Sequence, residues 1–512
     1  MWDQSIQQLK DKRAAAKAGG GAERIEKQHA SGKMTARERL EYLYDQGTFT
    51  ELNTLIKSRS TDFGMDKKSV TGDGVVVGYG KINDKLVFAS SQDFTVGGGA
   101  LGEYHAQKIC RAMDMAAEVK APFISINDSG GARIEEGIDS LSGYGGIFYR
   151  NARNSGVIPQ IAVIMGPCAG GACYSPALCD FIFMTGKSQM YITGPQVIKA
   201  VTGENITTDE LGGAYVHNSV SGVSHFSFDT DKECLNGVRL LLGYLPGSNS
   251  ETPAAIDMKK VAKASGFRNI VSDNMKTPYD VKRVIEEIAD RGTFFEVQKD
   301  WAKNIVVGFI RMGGKTVGTV ANQPIEMAGA LDFNAGDKAA RFIRFCDSFN
   351  IPILTLVDVP AFLPGKEQEY HGIIRHGAKM LYSYSEATVP KVSLIMRKAY
   401  GGAYIAMNSK GMGADMVFAW PIAEIAVMGA EGAANIIGKK RIDAAQDKAA
   451  ARNEVIAEYT EKYMNPYVAA ERGYIDEVIL PEETKKAIVD AFVMLEGKHD
   501  TLPEKKHGNM PL

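Results

Sequence analysis

The chain is poor in the residue types that mark secreted, metal-binding and membrane-spanning proteins. Its 512 residues include only six cysteines, with no C-x-x-C pair and no cysteine–histidine spacing of the zinc type. No segment approaches the run of about 18 apolar residues that a membrane-spanning helix needs, and the N-terminus lacks the apolar core of a signal peptide. We therefore expect a cytoplasmic protein with reduced thiols and no metal centre.

An excess of charge of either sign is also missing. The chain has 59 Lys and Arg against 61 Asp and Glu, a net charge of −2. This balance gives no support to a nucleic-acid partner or to direct binding to a membrane surface. The length predicts two to four domains with a sizeable buried core.

Glycine, in contrast, is abundant, and two glycine turns stand in matching contexts. The 54 glycines exceed the usual share of roughly 7%. The turns are formed by Gly170, Gly171 and Ala172 and by Gly401, Gly402 and Ala403. Each follows an apolar, strand-like run and leads into a helix-compatible segment. Such a turn either closes a strand–helix connection or directs backbone N–H groups toward an oxygen that gains negative charge.

The order of segments around the first turn recurs around the second at a nearly constant spacing. The matching pairs are Lys108 and Lys338, Pro122 and Pro352, and Asp128 and Asp358 at 230 positions, and Pro159 and Pro390, and Gly170 and Gly401, at 231. This spacing predicts a tandem duplication of an α/β unit. We expect an N-terminal domain of residues 1–250, a linker of residues 251–275 and a C-terminal domain of residues 276–512.

Few side chains around the turns suit acid–base or nucleophilic catalysis. Ser175 follows the first turn, but nothing nearby in the sequence activates it, which favours a helix-start hydroxyl. Asp128 and Asp358 end corresponding strands, where each is either a general base or a turn residue that fixes its loop. Arg133 either approaches a phosphate or pairs with a carboxylate. Backbone N–H groups remain the best candidates for stabilising two oxyanions.

Motifs over nearly the whole chain resemble the carboxyltransferase subunits of biotin-dependent acyl-CoA enzymes. They are Asp128–Arg133, Ser155–Ile161, Gly166–Ala172, Ile192–Pro195, Arg397–Tyr404 and Ala419–Gly429, together with Gly32–Leu40 and Lys505–Leu512. The resemblance implies an α/β fold of two tandem crotonase-like (ββα superhelix) domains related by internal duplication. It also implies a hexamer, with each active site between the N-terminal domain of one subunit and the C-terminal domain of its dimer partner.

The resemblance further implies that acyl-CoA lies against the N-terminal domain and biotin against the C-terminal one. The residues it implies for catalysis are Gly131, Ala132, Gly170, Gly171 and Ala172 at the thioester carbonyl, and Gly402 and Ala403 at the biotin ureido oxygen. Those implied for substrate binding are Gly98, Gly131, Ala132, Arg133, Gly170, Gly171 and Ile405. Those implied for biotin binding are Gly402, Ala403, Tyr404 and Phe362. The ureido nitrogen of biotin would handle the α-proton, which accounts for the missing protein base.

The partners follow from what the chain lacks relative to this family. It has no Ala-Met-Lys-Met biotinylation motif, no domain for ATP-dependent carboxylation of biotin, and no Cys₄ zinc ribbon of the bacterial acetyl-CoA carboxylase β subunit. We therefore expect biotin on a separate carrier chain, and a CoA thioester as the substrate.

The residue after Gly-Gly-Ala-Tyr bears on the branch of the family. Many propionyl-CoA carboxylases have an Asp there, whereas the aliphatic Ile405 is more like methylmalonyl-CoA decarboxylases and transcarboxylases. We expect the α subunit of a sodium-pumping methylmalonyl-CoA decarboxylase, held near the membrane by membrane subunits. The alternative is the β subunit of propionyl-CoA carboxylase, with a biotin carboxylase as partner. A crotonase-like hydratase or isomerase and a non-catalytic CoA-binding protein remain further alternatives.

Overall fold

The computed structural model describes residues 1–256 and 266–509. The chain divides into two compact units, Met1–Thr252 (unit 1) and Pro253–Leu512 (unit 2). Residues 257–265 of the predicted linker lie outside the described residues. In its last part, Phe267 and Val271 are buried in the core of unit 2.

Unit 1 is built on a mixed sheet. Its strands are β1 (Thr50–Leu52), β2 (Val75–Ile82), β3 (Lys85–Gln92), β4 (Phe123–Ser129), β5 (Gln160–Ala169), β6 (Phe181–Thr185), β7 (Gln189–Tyr191) and β8 (Phe226–Phe228). The strand order is β1-β2-β3-β4-β5-β6-β8, and β7 pairs with β5. The first three strands are antiparallel to one another, and the pairings from β3 onward are parallel.

Helices connect and cover these strands, as parallel pairing requires. They are α1 (Trp2–Lys17), α2 (Ala22–Ala30), α3 (Ala36–Leu43), α4 (Met65–Lys68), α5 (Glu103–Glu118), α6 (Ile138–Asn154), α7 (Tyr174–Ala177), α8 (Pro195–Thr202), α9 (Thr208–Gly212) and α10 (Asp231–Tyr244). Thr35 caps the N-terminus of α3 with a capping box, in which its side chain accepts from the Glu38 N–H.

Unit 2 repeats the strand order of unit 1. Its strands are β9 (Phe295–Val297), β10 (Ile305–Met312), β11 (Lys315–Asn322), β12 (Ile353–Val359), β13 (Lys391–Tyr400), β14 (Met416–Ala419), β15 (Glu424–Ala426) and β16 (Glu477–Val478). The order is β9-β10-β11-β12-β13-β14-β16, and β15 pairs with β13. The pairings change from antiparallel to parallel at β11, as they do at β3 in unit 1.

The helices of unit 2 follow the same plan, with a larger helical segment after β15. They are α11 (Phe267–Ile270), α12 (Val281–Ile288), α13 (Phe333–Ser348), α14 (Lys366–Tyr370), α15 (Ile373–Glu386), α16 (Gly401–Ala406), α17 (Ala430–Ile437), α18 (Lys439–Ala444), α19 (Lys448–Tyr463), α20 (Pro466–Glu471) and α21 (Thr484–Met494).

The central strands position both glycine turns. In β5 the run Ile161–Met165 is fully buried, and in β13 Val392, Leu394, Ile395 and Met396 are likewise buried. Such continuous apolar runs are typical of parallel strands that are covered on both faces. Two buried lysines match as well, because Lys108 Nζ donates to the carbonyls of Gly72 and Val75, and Lys338 Nζ donates to those of Gln298, Trp301 and Ala302.

Candidate active site: two glycine turns and their cavities

The first turn follows directly from the end of β5. Gly170 has φ +62°, a left-handed conformation that favours glycine, and it begins a short 3₁₀ turn that leads into α7. The N–H groups at the start of such a turn have no acceptor inside it, so those of Gly170 and Gly171 are available to a ligand. Ala172 is buried and anchors the turn in the core.

The loop after β4 lies against this turn. A Cβ on Gly131, which has φ +113°, would stand 3.2 Å from the Ala169 carbonyl oxygen. The Gly131 N–H donates to Ser129 Oγ at 3.1 Å, so this N–H is already engaged. Among the described residues the Ala132 N–H has no backbone or side-chain acceptor, and it is the open donor of the loop.

The second turn repeats this arrangement at the end of β13. Gly401 has φ +58° and begins α16, and a Cβ there would stand 3.0 Å from the Val427 carbonyl oxygen. A Cβ on Gly402 would meet no atom within 4 Å, so its side of the turn faces open space. The N–H groups of Gly402 and Ala403 lie in the first helical turn, where they have no intrahelical acceptor.

Phe362 takes the place in unit 2 that Ala132 takes in unit 1. In unit 1 the Leu101 N–H donates to Gly131 O and the Arg133 N–H donates to Leu101 O. In unit 2 the N–H groups of Leu331 and Leu363 make the same bonds 230 positions later, to Ala361 O and Leu331 O, at 3.1 and 2.7 Å. Phe362, which the sequence associates with biotin, therefore occupies the position in unit 2 that is equivalent to that of the open donor Ala132 in unit 1.

The two aspartates at the strand ends are buried in ion pairs. Asp128 Oδ2 lies 2.9 Å from Arg39 Nη1 and 2.7 Å from Lys33 Nζ. Asp358 Oδ2 lies 2.8 Å from Arg397 Nε. Neither carboxylate is exposed. Of the two roles that the sequence left open, the structure favours fixing the loops over general-base catalysis.

Arg133 and Ser175 are engaged inside the fold. The Arg133 guanidinium lies 2.8 Å from Asp73 Oδ1 and 2.7 Å from Glu136 Oε1, which favours carboxylate pairing over a phosphate contact. Ser175 Oγ donates to Asn151 Oδ1 at 2.8 Å from within α7, as a structural hydroxyl does.

A basic cleft adjoins the first site. It has a volume of about 630 Å³ and is lined by Gly97, Gly98 and Pro167 and by the side chains of Arg24, Lys27, Lys33 and Lys187, among others. The Gly98 carbonyl accepts the Gly130 N–H at 3.0 Å, which joins the cleft to the loop that carries Ala132. Gly98 was predicted from the sequence, but the four cations were not. The basic composition of the first 45 residues was a signal for Arg24, Lys27 and Lys33, whereas Lys187 lies far beyond that segment.

The cavity beside the second turn is apolar and aromatic. Its volume is about 740 Å³, and its lining includes Gly401, Gly402, Tyr404, Ile405, Tyr459, Tyr463 and Tyr474. Burial, and then the neighbouring Tyr474, raise the pKa of the Tyr404 hydroxyl. Tyr404 and Ile405 were predicted from the sequence as site residues, but the tyrosines of α19 and of the segment after α20 were not, because they lie more than 50 positions away.

The part of the chain that the structure describes contains neither a metal-binding cluster nor a membrane-spanning helix. Over residues 1–256 and 266–509, no group of three or more His, Cys, Asp and Glu side chains is arranged to hold a metal ion. Within the same residues, no helix combines the length and the apolar character needed to cross a membrane.

Comparison with known proteins places this geometry in a family. The model of the carboxyl transferase domain matches residues 27–510. The chain is 58% identical to the methylmalonyl-CoA decarboxylase subunit alpha of Propionigenium modestum, over 99% of each chain. It is 55% identical to the carboxyltransferase subunit of propionyl-CoA carboxylase of Haloferax mediterranei, also over 99% of each.

A solved structure gives the same result for the fold. The transcarboxylase 12S structure, a hexamer with methylmalonyl-coenzyme A and methylmalonic acid bound, superposes with a TM-score of 0.97 at 55% identity, covering 99% of this chain and 98% of that one. The predicted crotonase-like α/β fold and the predicted class of enzyme, a carboxyltransferase, are thereby confirmed. The chain belongs to the carboxyl transferase family.

Proposed function

We propose that the protein moves a carboxyl group between methylmalonyl-CoA or propionyl-CoA and biotin carried on a separate chain. The observation that carries this proposal is the pairing of two equivalent glycine turns with two chemically different cavities. One repeated backbone device suits two carbonyl oxygens, and the two cavities suit two different ligands.

Unit 1 is the proposed acyl-CoA side. CoA carries phosphates, and the basic cleft offers them Arg24, Lys27 and Lys187, whereas its fourth cation, Lys33, is paired with Asp128. The thioester oxygen would then accept from the N–H groups of the first turn and of Ala132. Preorganised donors of this kind are each worth about 2.7–4 kcal/mol of transition-state stabilisation.

Unit 2 is the proposed biotin side, and its residues fit that group. Biotin has an uncharged, largely apolar ring system with one strongly accepting ureido oxygen, and the cavity is apolar with open N–H groups at Gly402. When bound, biotin supplies a ureido nitrogen that takes up the carboxyl group while its proton passes to the α-carbon of the acyl group. Gly402, Ala403 and Phe362 would hold the ureido oxygen, and Tyr404 would border the ring.

In the cell, we propose the role of the α subunit of a sodium-pumping methylmalonyl-CoA decarboxylase, assembled as a hexamer with a biotin carrier chain and membrane subunits. The aliphatic Ile405 in the cavity and the relative in Propionigenium modestum support this role. The alternative, the β subunit of a propionyl-CoA carboxylase with a biotin carboxylase partner, is supported by a relative of almost equal identity.

The experiment incubates the purified protein with methylmalonyl-CoA and millimolar free biotin and follows propionyl-CoA by chromatography. Biotin-dependent formation of propionyl-CoA is expected. If intact oligomers form no propionyl-CoA under these conditions, the proposed function is wrong. Reconstitution with the membrane subunits or with a biotin carboxylase then separates the two cellular roles, because only one partner set restores coupled turnover.

A further inference from the structure

Two cysteines flank the first glycine turn. Cys168 is in β5, two residues before Gly170, and Cys173 is the last residue of the 3₁₀ turn. Both are unbridged thiols. Their equivalents in unit 2, 231 positions later, are Ala399 and Tyr404. Since the second turn has the same backbone without thiols, the oxyanion role of the turn does not require the cysteine pair.

The two thiols lie in contact across the turn. Cys168 Sγ donates to the Ala172 carbonyl at 3.3 Å, and Cys173 Sγ donates to the Cys168 carbonyl at 2.7 Å. The thiols also hydrogen-bond to each other. Two cysteines can be bridged only where their side chains point toward each other, and this pair meets that condition.

The two thiols differ in reactivity. A hydrogen bond with the Cys168 thiol lowers the pKa of the Cys173 thiol, and this outweighs the opposing effect of burial. The same bond, together with burial, raises the pKa of Cys168 well above its ordinary value. Burial also raises the pKa of Cys110, Cys234 and Cys346. Because the thiolate is the nucleophile, and because Cys173 is 8% exposed while Cys168 is fully buried, Cys173 is the thiol that meets an oxidant first.

We propose that Cys168 and Cys173 are an oxidation site, at which hydrogen peroxide forms a disulfide that displaces the first turn. In the first step the Cys173 thiolate attacks a peroxide oxygen, so that an S–O bond forms, the O–O bond breaks and hydroxide leaves. In the second step Cys168 Sγ attacks the sulfenic sulfur, so that the S–S bond forms and the S–O bond breaks. The Cys168 thiol proton leaves with the hydroxyl group as water. The two sulfurs lose two electrons in total, and the peroxide takes them up.

The bridge changes the turn in two ways. It removes both S–H donors, so the carbonyls of Ala172 and Cys168 lose these hydrogen bonds. It also draws Cys173 toward β5, because an S–S bond of about 2.05 Å is shorter than any contact between two thiols. Gly170 and Gly171 lie in the chain between the two sulfurs, so their N–H groups move. A displacement of about 1 Å at a catalytic group costs up to about 100-fold in rate. This effect on turnover, unlike the bridge itself, rests on the proposed function.

The first measurement detects the bridge without any substrate. The assembled protein is treated with hydrogen peroxide, its remaining thiols are alkylated after denaturation, and its tryptic peptides are analysed by mass spectrometry. Residues 154–187 form one tryptic peptide with three cysteines. After oxidation this peptide should carry a single alkyl group and lack two hydrogen atoms. Dithiothreitol should restore alkylation of all three cysteines.

Cys179→Ala is the matched control, because Cys179 is the third cysteine of this peptide. This variant should still form the bridge. Cys168→Ala should stop at a sulfenic acid on Cys173, which dimedone traps, and Cys173→Ala should form neither product. A bridge that persists in Cys168→Ala, or that is lost in Cys179→Ala, would overturn the pairing. If a variant misassembles, as gel filtration would reveal, fragmentation of the oxidised wild-type peptide locates the bridge.

The second measurement is turnover with methylmalonyl-CoA and free biotin before and after oxidation. The wild type should lose about 10- to 100-fold in kcat and regain it with dithiothreitol. Cys173→Ala should show the same turnover before and after peroxide. Only the loss that dithiothreitol reverses is counted, which excludes oxidation of methionine.

Three outcomes separate the parts of the inference. No bridge in the peroxide-treated wild type would mean that the oxidation site is wrong. A bridge that leaves the turnover of an active wild type unchanged would mean that the turn is not displaced. If the wild type forms no propionyl-CoA even before oxidation, the proposed function fails, and the mass measurement still decides whether the oxidation site exists.

Discussion

Gly166 in β5 and Arg397 in β13 stand 231 positions apart at equivalent places in their strands, and only Arg397 has a cationic side chain. In unit 2, Arg397 Nε lies 2.8 Å from Asp358. In unit 1, a Cβ on Gly166 would stand 1.9 Å from Asp128 Oδ1, and the missing side chain leaves room for Lys33 and Arg39 from the N-terminal segment. Both aspartates are thus neutralised by different means, so the repeat preserves the ion pair and not the residue that makes it.

The two glycines of the second turn should respond differently to the same substitution. Gly402→Val places its side chain in open space, so we expect an unchanged melting temperature and a loss of about 100-fold or more in biotin-dependent turnover, because the side chain blocks the N–H groups. Gly401→Val must adopt φ +58° against the Val427 carbonyl and should lower the melting temperature. Thermal unfolding and the free-biotin assay measure both. Full turnover in folded Gly402→Val would show that these N–H groups are not the catalyst.

The buried pair of Asp358 and Arg397 should be structural. Asp358→Asn leaves the guanidinium without its charged partner in a buried site, which should cost about 3–5 kcal/mol of unfolding free energy. The control is Glu458→Gln, which breaks an exposed ion pair with Arg441 and should change the unfolding free energy far less, because solvent screens that pair. Denaturant unfolding measures both variants. A stable Asp358→Asn protein without turnover would instead favour the general-base role.

The buried Lys338 should make stability depend on pH. Burial lowers its pKa to about 7, whereas the unfolded chain keeps the ordinary value of 10.5. Between these values the unfolded chain binds more protons, so the unfolding free energy should rise with pH, by up to about 1.4 kcal/mol per pH unit, and should fall as pH drops toward 7.

The comparison that isolates this contribution uses Lys338→Met and, as control, the exposed Lys440→Met. Urea unfolding is measured at several values between about pH 7.5 and about pH 9.5, a range that lies between the shifted and the ordinary lysine pKa. The unfolding free energy of Lys338→Met should rise less steeply with pH than that of the wild type. The Lys440→Met slope should match the wild type. Identical slopes in all three proteins would mean that Lys338 keeps an ordinary pKa in the fold.

The basic cleft should contribute to the binding of acyl-CoA and not to that of biotin. Lys187 Nζ donates to Ser31 O at 2.8 Å and keeps donors free for a phosphate. Lys187→Ala should raise the KM for methylmalonyl-CoA several-fold, more at low salt than at high salt, and leave the KM for free biotin unchanged. Lys199→Ala, on α8 outside the cleft, is the control. An equal rise in both KM values would place Lys187 outside the proposed CoA site.

Much of the fold was predictable because it is encoded locally. The apolar runs before each turn predicted β5 and β13, and the repeat spacing predicted that Asp128 and Asp358 would stand at the ends of corresponding strands. The ion pairs were not predictable in the same way. The partner of Asp358 lies 39 positions away, but those of Asp128 lie 89 and 95 positions away, in the N-terminal segment.

The sequence by itself determined the two turns, their tight backbone and the family, because glycine spacing and apolar runs are local properties. Only the tertiary structure decided what surrounds each turn. It gathered four cations from the N-terminal segment and the loop after β6 beside the first turn, and tyrosines from α19 and the segment after α20 beside the second. The reason is physical, since a cavity is formed by side chains distant in the chain whose meeting depends on how the helices pack on the sheet.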